Sequence, residues 1–134
     1  MNDPSPRQQK LVLNVDDRPT SLYTRDRLLR LNGYMVANAT NGKEAITLAE
    51  RLRPDLILLD VHLPDMDGRE ICRQIKENPE LTNIPVILAS TTMRGDAAQS
   101  EAMHWAGADA FIAEPFDLQA LTSTLKAVLK DQPR

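Results

Sequence analysis

The sequence predicts an α/β fold, a doubly wound parallel sheet, and three observations predict it. Short apolar runs recur along the chain at Leu11–Val15, Tyr34–Ala39, Asp55–Asp60, Pro85–Ser90 and Asp109–Ala113. Several are apolar on successive positions, as in strands covered on both faces. Each run is followed by a longer segment with helical spacing of its apolar residues. Five such strand–helix units argue for a parallel sheet with helices on both faces. Right-handed crossovers leave few topologies, and the flavodoxin-like order 2-1-3-4-5 is the expected one.

The helices are legible in turn. Pro19 suits a first helical turn, and a Leu-rich stretch runs to Leu31 before Asn32 and Gly33 supply a stop. Asn41 is a candidate N-cap with Glu44 three residues on. Ala45, Ala49 and Leu52 then share a face, and Pro54 bars continuation. Ile71 and Ile75 lie one turn apart after Gly68. Ala98, Ala102 and Trp105 approximate one face before Gly107. Leu118, Leu121, Leu125 and Val128 form the clearest stripe, in the last helix.

Composition narrows the function. The 134 residues suit one domain, expected over 10–130 with short tails at 1–9 and 131–134. Aromatic residues are only 4%, so the core must be aliphatic. A formal charge of −3 argues against a nucleic-acid-binding face, which needs concentrated Lys and Arg. The single cysteine, Cys72, forms no internal disulfide and suits a reducing cytoplasm. No apolar run is long enough for a membrane helix, and "MNDPSPRQQK" lacks the apolar centre of a signal peptide.

In the expected strand order, a ligand crevice lies at the carboxyl ends of strands 1 and 3. Strand 1 ends in Asp16-Asp17 and strand 3 in Asp60. Taken singly, each Asp reads as a turn or cap residue. Together they bring three carboxylates to one pocket, where repulsion calls for a proton or a cation. Oxygen ligands with room for water suit Mg²⁺. Strand 4 adds the Ser90 hydroxyl at the same rim.

"VDDRPT", "PDLILLDVHLPDMDG", "IPVILAS" and "GADAFIAEPF" together resemble the receiver domain of two-component response regulators, over about residues 10 to 130. The resemblance implies that Asp60 accepts a phosphoryl group from a histidine kinase, as a carboxylate nucleophile. It implies Mg²⁺ held by Asp16, Asp17, Asp60 and the backbone carbonyl of His62. Ser90 matches the switch hydroxyl, Phe111 the aromatic switch position, and Pro64 and Gly68 the loop after strand 3. The implied partners are a sensor histidine kinase or phosphotransfer domain, then a downstream protein on the face of helix 4, strand 5 and helix 5. A homodimer through that face is a further option. The chain is expected to be a stand-alone regulator or a receiver cut from a hybrid kinase, cytoplasmic, and a phosphoacceptor rather than an enzyme.

Two positions depart from the pattern, and the milder is Phe111, where the family more often has Tyr; the ring is kept and a hydroxyl lost. The family's Lys before the strand-5 Pro is Glu114 here. A unit charge about 4 Å away is worth roughly 4 kcal/mol at an effective dielectric of about 20, so the reversal matters. Three readings follow: Glu114 points away toward a surface cation; another cation replaces the Lys, with Arg18 the leading candidate and His62 and Arg94 behind it; or the domain is a pseudo-receiver adaptor that signals by binding without phosphorylation. A phosphohydrolase would want Asp-x-Asp at the first strand, and a flavin protein a phosphate-binding loop where "DDRPT" places two anions. His62 reads either as a modulator of the site or as an exposed loop residue. His104 is expected on the surface, and Cys72 and Trp105 packed or half-buried, with a partner surface on helix 4 the other reading of Trp105.

Overall fold

The computed structural model describes residues 9–93 and 95–130, Lys130 by its backbone alone. The expected tails at 1–9 and 131–134 therefore lie outside the described residues, Gln9 excepted. The elements alternate: β1 (Leu11–Val15), α1 (Pro19–Leu31), β2 (Met35–Ala39), α2 (Gly42–Leu52), β3 (Leu56–Asp60), α3 (Gly68–Glu77), β4 (Val86–Ser90), α4 (Asp96–Ala106), β5 (Ala110–Ala113) and α5 (Leu118–Lys130). The strands form one parallel sheet in the order β2-β1-β3-β4-β5.

Two aliphatic layers hold the helices to the sheet. Leu13, Val15, Ile57, Leu59 and Leu88 meet α2, α3 and α4 through Ala45, Ala49, Ile71, Ile75 and Ala106. Val12, Leu56, Leu58, Ile87, Ala89 and Ile112 meet α1 and α5 through Leu29, Leu121, Leu125 and Val128. Adjacent strand residues thus point to opposite layers. β1, β3 and β4 are buried throughout, which is why their apolar runs do not alternate.

Local signals set the helix ends. The Asn41 side chain accepts from the Glu44 N–H at 2.8 Å, while the Glu44 carboxylate accepts from the Thr40 N–H at 2.8 Å. This pair of bonds satisfies donors at the start of α2. Gly107 closes α4 at φ 76°, in the left-handed region.

Two helix faces differ from expectation. The buried residues of α4 are Ala102 and Ala106, while Ala98 and Trp105 are exposed. Trp105 is not packed in the core; the Arg73 guanidinium covers its ring at 4.7 Å. Leu118, in the first turn of α5, is also exposed, and the buried stripe begins at Leu121. His104 is exposed and Cys72 buried.

Burial pushes the Cys72 thiol up to about 12. The thiolate is the reactive form, so Cys72 is expected to react with an aromatic disulfide at pH 8 at least about 1,000-fold more slowly than in denaturant. Absorbance with and without guanidinium checks this; equal rates would contradict the burial.

Gly68 lets α3 start directly beneath β3. A Cβ there would collide with the Asp60 carbonyl oxygen and lie 2.8 Å from Val61 Cα. Backbone atoms cannot yield cheaply, so Gly68→Ala is expected to destabilise the fold by about 2 kcal/mol. Urea unfolding measures this, and a change under about 0.5 kcal/mol would refute it.

Candidate functional site

The sheet register gathers the site. Val15 pairs with Ala39 and Leu59, Asp60 with Ala89, and Ser90 with Ala113. Asp16, Asp60, Ser90 and Glu114 therefore lie along the carboxyl edge. Alternation also aims them. Val12, Leu58 and Ile112 face the α1 layer, and Asp16, Asp60 and Glu114 stand at the matching even-numbered positions. Their carboxylates accordingly turn toward the first turns of α1.

One carboxylate oxygen from each of Asp16, Asp17 and Asp60 lies within 4.8 Å of the others. Asp16 and Asp60 are buried and Asp17 is exposed. Asp60 accepts at Oδ1 from the His62 backbone N–H at 2.8 Å, and at Oδ2 from Arg18 Nη2 at 2.9 Å. Burial raises the Asp60 pKa to about 6; the His62 N–H and Arg25 oppose that rise, while the charges of Asp16 and Glu114 add to it. At neutral pH Asp60 is still mostly ionised, the form a nucleophile needs.

Glu114 does not point away. It is 6% exposed, and its carboxylate meets Arg18 Nη2 at 3.3 Å, the Ser21 hydroxyl at 3.1 Å and Arg25 Nη1 at 3.8 Å. The reading in which it pairs with a surface cation is therefore corrected, because strand parity turns it inward. The bond from Glu114 to Pro115 is cis. Arg18 reaches Asp16 as well, with Nε 3.2 Å from Oδ1. That bond, with the nearby carboxylates, raises the Arg18 pKa further above its ordinary value.

Arg25 was not among the candidates, yet it is buried in the site. Its Nη1 donates to Asp16 Oδ2 at 3.0 Å and its Nη2 to the Leu58 carbonyl at 3.0 Å. Burial pushes the Asp16 carboxyl up, but the Ser21 hydroxyl, Arg18 and the Arg25 charge outweigh it and hold the pKa below the usual value. A signal was available: Arg25 lies three after Leu22 and four before Leu29, inside the inward stripe of α1. Arg18, Ser21 and Arg25 share that stripe.

The remaining candidates lie around this centre. The Ser90 hydroxyl accepts from the Thr92 N–H at 3.0 Å, and Thr92 Oγ1 lies 2.6 Å from His62 Nε2. His62 thus offers its backbone to Asp60 and its ring to the loop after β4. Phe111 is half-buried on the opposite, α3–α4 side of the sheet. Arg94 lies outside the described residues. Among the described residues, four carboxylates face two guanidinium groups, an excess of two negative charges. Hard oxygen donors with that excess fit a divalent cation of the Mg²⁺ type.

Comparison with known proteins gives the same architecture. The response regulator receiver domain family matches residues 12–126. The chain is 35% identical over 123 residues to the polar-differentiation response regulator DivK of Brucella anthropi, covering 91% of this chain and 98% of the relative. The signal receiver domain of a signal transduction histidine kinase from Syntrophus aciditrophicus superposes with a TM-score of 0.82 at 37% identity, covering 93% of each chain. The receiver domain of the sensor histidine kinase PA1611 from Pseudomonas aeruginosa PAO1, solved with a magnesium ion coordinated in its active site cleft, superposes at 0.82 with 28% identity, covering 92% of this chain and 99% of that one. No helix among the described residues is long and apolar enough to cross a membrane. With an acidic pocket at the carboxyl edge of a 2-1-3-4-5 sheet, the chain belongs to the response regulator receiver domain family, the phosphoacceptors of two-component signalling.

Proposed function

We propose that Asp60 is the phosphoacceptor and that Asp16, Asp17, Asp60 and the His62 backbone carbonyl hold Mg²⁺. The observation that carries this is the convergence of three carboxylates with Arg18 seated on Asp60 Oδ2. An Asp60 oxygen attacks phosphorus; the phosphorus–nitrogen bond of the donor phosphohistidine breaks, and its electron pair stays with the imidazole. Bound Mg²⁺ supplies charge neutralisation at the oxygens of the transferring group. Arg18 supplies the cation that Glu114 does not, since its guanidinium can donate to two oxygens at once. The His62 N–H keeps Asp60 oriented. Ser90 is the switch hydroxyl: its present donors are the Thr92 and Met93 N–H groups, so engaging a phosphoryl oxygen would pull the loop after β4. Phe111, packed behind β5, is the aromatic position that would follow.

The donor is a sensor histidine kinase or a phosphotransfer domain, and the domain spans residues 10–130 in the cytoplasm. The output surface is the face of α4, β5 and α5, where Leu118 is exposed, and it receives a downstream protein or a second copy. Incubation with a small acyl phosphate and Mg²⁺, followed by intact mass, tests the reading. One added phosphoryl group is expected, and none when chelator is present during the incubation. A native chain that stays unmodified at saturating donor leaves the pseudo-receiver adaptor as the function.

A further inference from the structure

Arg25 and Arg18 differ in freedom although they face the same carboxylates. Arg25 is 1% exposed, with one nitrogen on Asp16, another on the Leu58 carbonyl, and Nε without a hydrogen-bond partner among the described residues. A guanidinium so enclosed cannot follow a ligand. The Arg18 side chain is 44% exposed, and its Nη2 touches Asp60 and both oxygens of Glu114. Asp16 and Glu114 are carboxylates that both guanidinium groups share, and Ser21 holds Glu114 Oε2 from the same stripe of α1.

We propose that Arg25 and Glu114 are a pair of positioning residues: Arg25 and Ser21 anchor Glu114, and Glu114 with Asp16 aims the Arg18 guanidinium at the oxygen of Asp60 that receives the phosphoryl group. This rests on the phosphoacceptor reading and adds the device that places its cation. Arg18, at the N-cap of α1, and Arg25, within it, supply both positive charges, and the acid at the end of β5 is their fixed counter-charge. A lysine at 114 would then disable the site, because its ammonium would stand against Arg18 and Arg25 and drive Arg18 off Asp60. Removing Arg25 from that variant makes room for the ammonium beside Asp16.

The experiment compares initial labelling rates with a small acyl phosphate, at saturating donor and saturating Mg²⁺, in the native chain, Glu114→Lys, Glu114→Gln and Arg25→Met/Glu114→Lys. Melting temperatures establish that each variant is folded. Glu114→Lys is expected to label at least about tenfold more slowly than the native chain, and the double variant to regain most of that loss, since groups in direct contact couple by such factors. Glu114→Gln keeps the shape without the charge and is expected to label several-fold more slowly; it carries the test if Glu114→Lys does not fold. A purely structural role would move melting temperature without this rescue of rate. Glu114 variants that label as fast as the native chain, or a double variant no faster than Glu114→Lys, overturn the pair and leave the phosphoacceptor reading standing. A native chain that takes up no phosphoryl group overturns both.

Discussion

Asp60→Asn is expected to abolish labelling by an acyl phosphate and, in chelator at pH 7, to stabilise the fold. The two results share a cause. Asp60 is 2% exposed, and burial holds its pKa near 6, above the value of 3.8 for a free side chain. Between about pH 4 and pH 6 the folded chain therefore binds more protons than the unfolded one, and native stability falls as pH rises through that window. By neutral pH the ionised carboxylate costs on the order of 1 kcal/mol. Asparagine has no charge to bury, and its carbonyl can still accept from the His62 N–H that now meets Oδ1. The variant should gain about that amount at pH 7 and match the native chain below about pH 4. Saturating Mg²⁺ should reverse the order, because a ligand that binds the folded state stabilises it and the variant has lost one carboxylate. Urea unfolding at two pH values, with and without Mg²⁺, measures all four cases. A variant that still gains a phosphoryl group removes Asp60 from its role, and one less stable than native at pH 7 in chelator contradicts the cost of its charge.

The sequence was most readable where burial is symmetric. β1, β3 and β4 are covered on both faces, so their apolar runs stood out and their order followed from handedness. Asp16, Asp17 and Asp60 were readable because the ends of those strands set where a crevice opens. Reading failed where polarity and burial part company. Trp105 shares a helical spacing with Ala98 and Ala102 and reads as packed or half-buried, but the Arg73 guanidinium covers its ring at the surface. Arg25 was passed over as one more charge on a helix rich in arginine, though it interrupts an apolar stripe and is buried. Glu114 admits three readings as long as only its charge is considered. Parity settles its direction: Ile112 faces the α1 layer, so the residue two further on does too. Read together, a charge inside the stripe of α1 and an opposite charge at the end of β5 point to a swapped ion pair.

The bond from Arg25 to Asp16 sets the other large effect, on stability. Arg25→Met is expected to destabilise the chain by about 3 kcal/mol at pH 7, toward the lower end for breaking a buried pair, because Arg18 still reaches Asp16. For a domain of this size that is a fall of roughly 10 °C in melting temperature. Methionine fills similar volume, so the loss is mainly electrostatic: Asp16 keeps its buried charge, and the Leu58 carbonyl loses its donor from Arg25. The pH dependence separates charge from packing. In the native chain the Asp16 pKa lies below 3.8, so the stability from this partnership is present at neutral pH and lost as pH falls through that lowered value. Without Arg25 the Asp16 pKa rises, and the variant takes up its proton earlier on acidification. The gap between native and variant should therefore narrow as pH drops below about 4. Asp16→Asn in the Arg25→Met background should recover part of the loss at pH 7, since it removes the charge left without its partner. Chemical unfolding in chelator across pH 3 to 7 measures the gap. A gap under about 1 kcal/mol at pH 7, or one unchanged by acid, would show that Arg25 serves packing alone and that Asp16 does not depend on its charge.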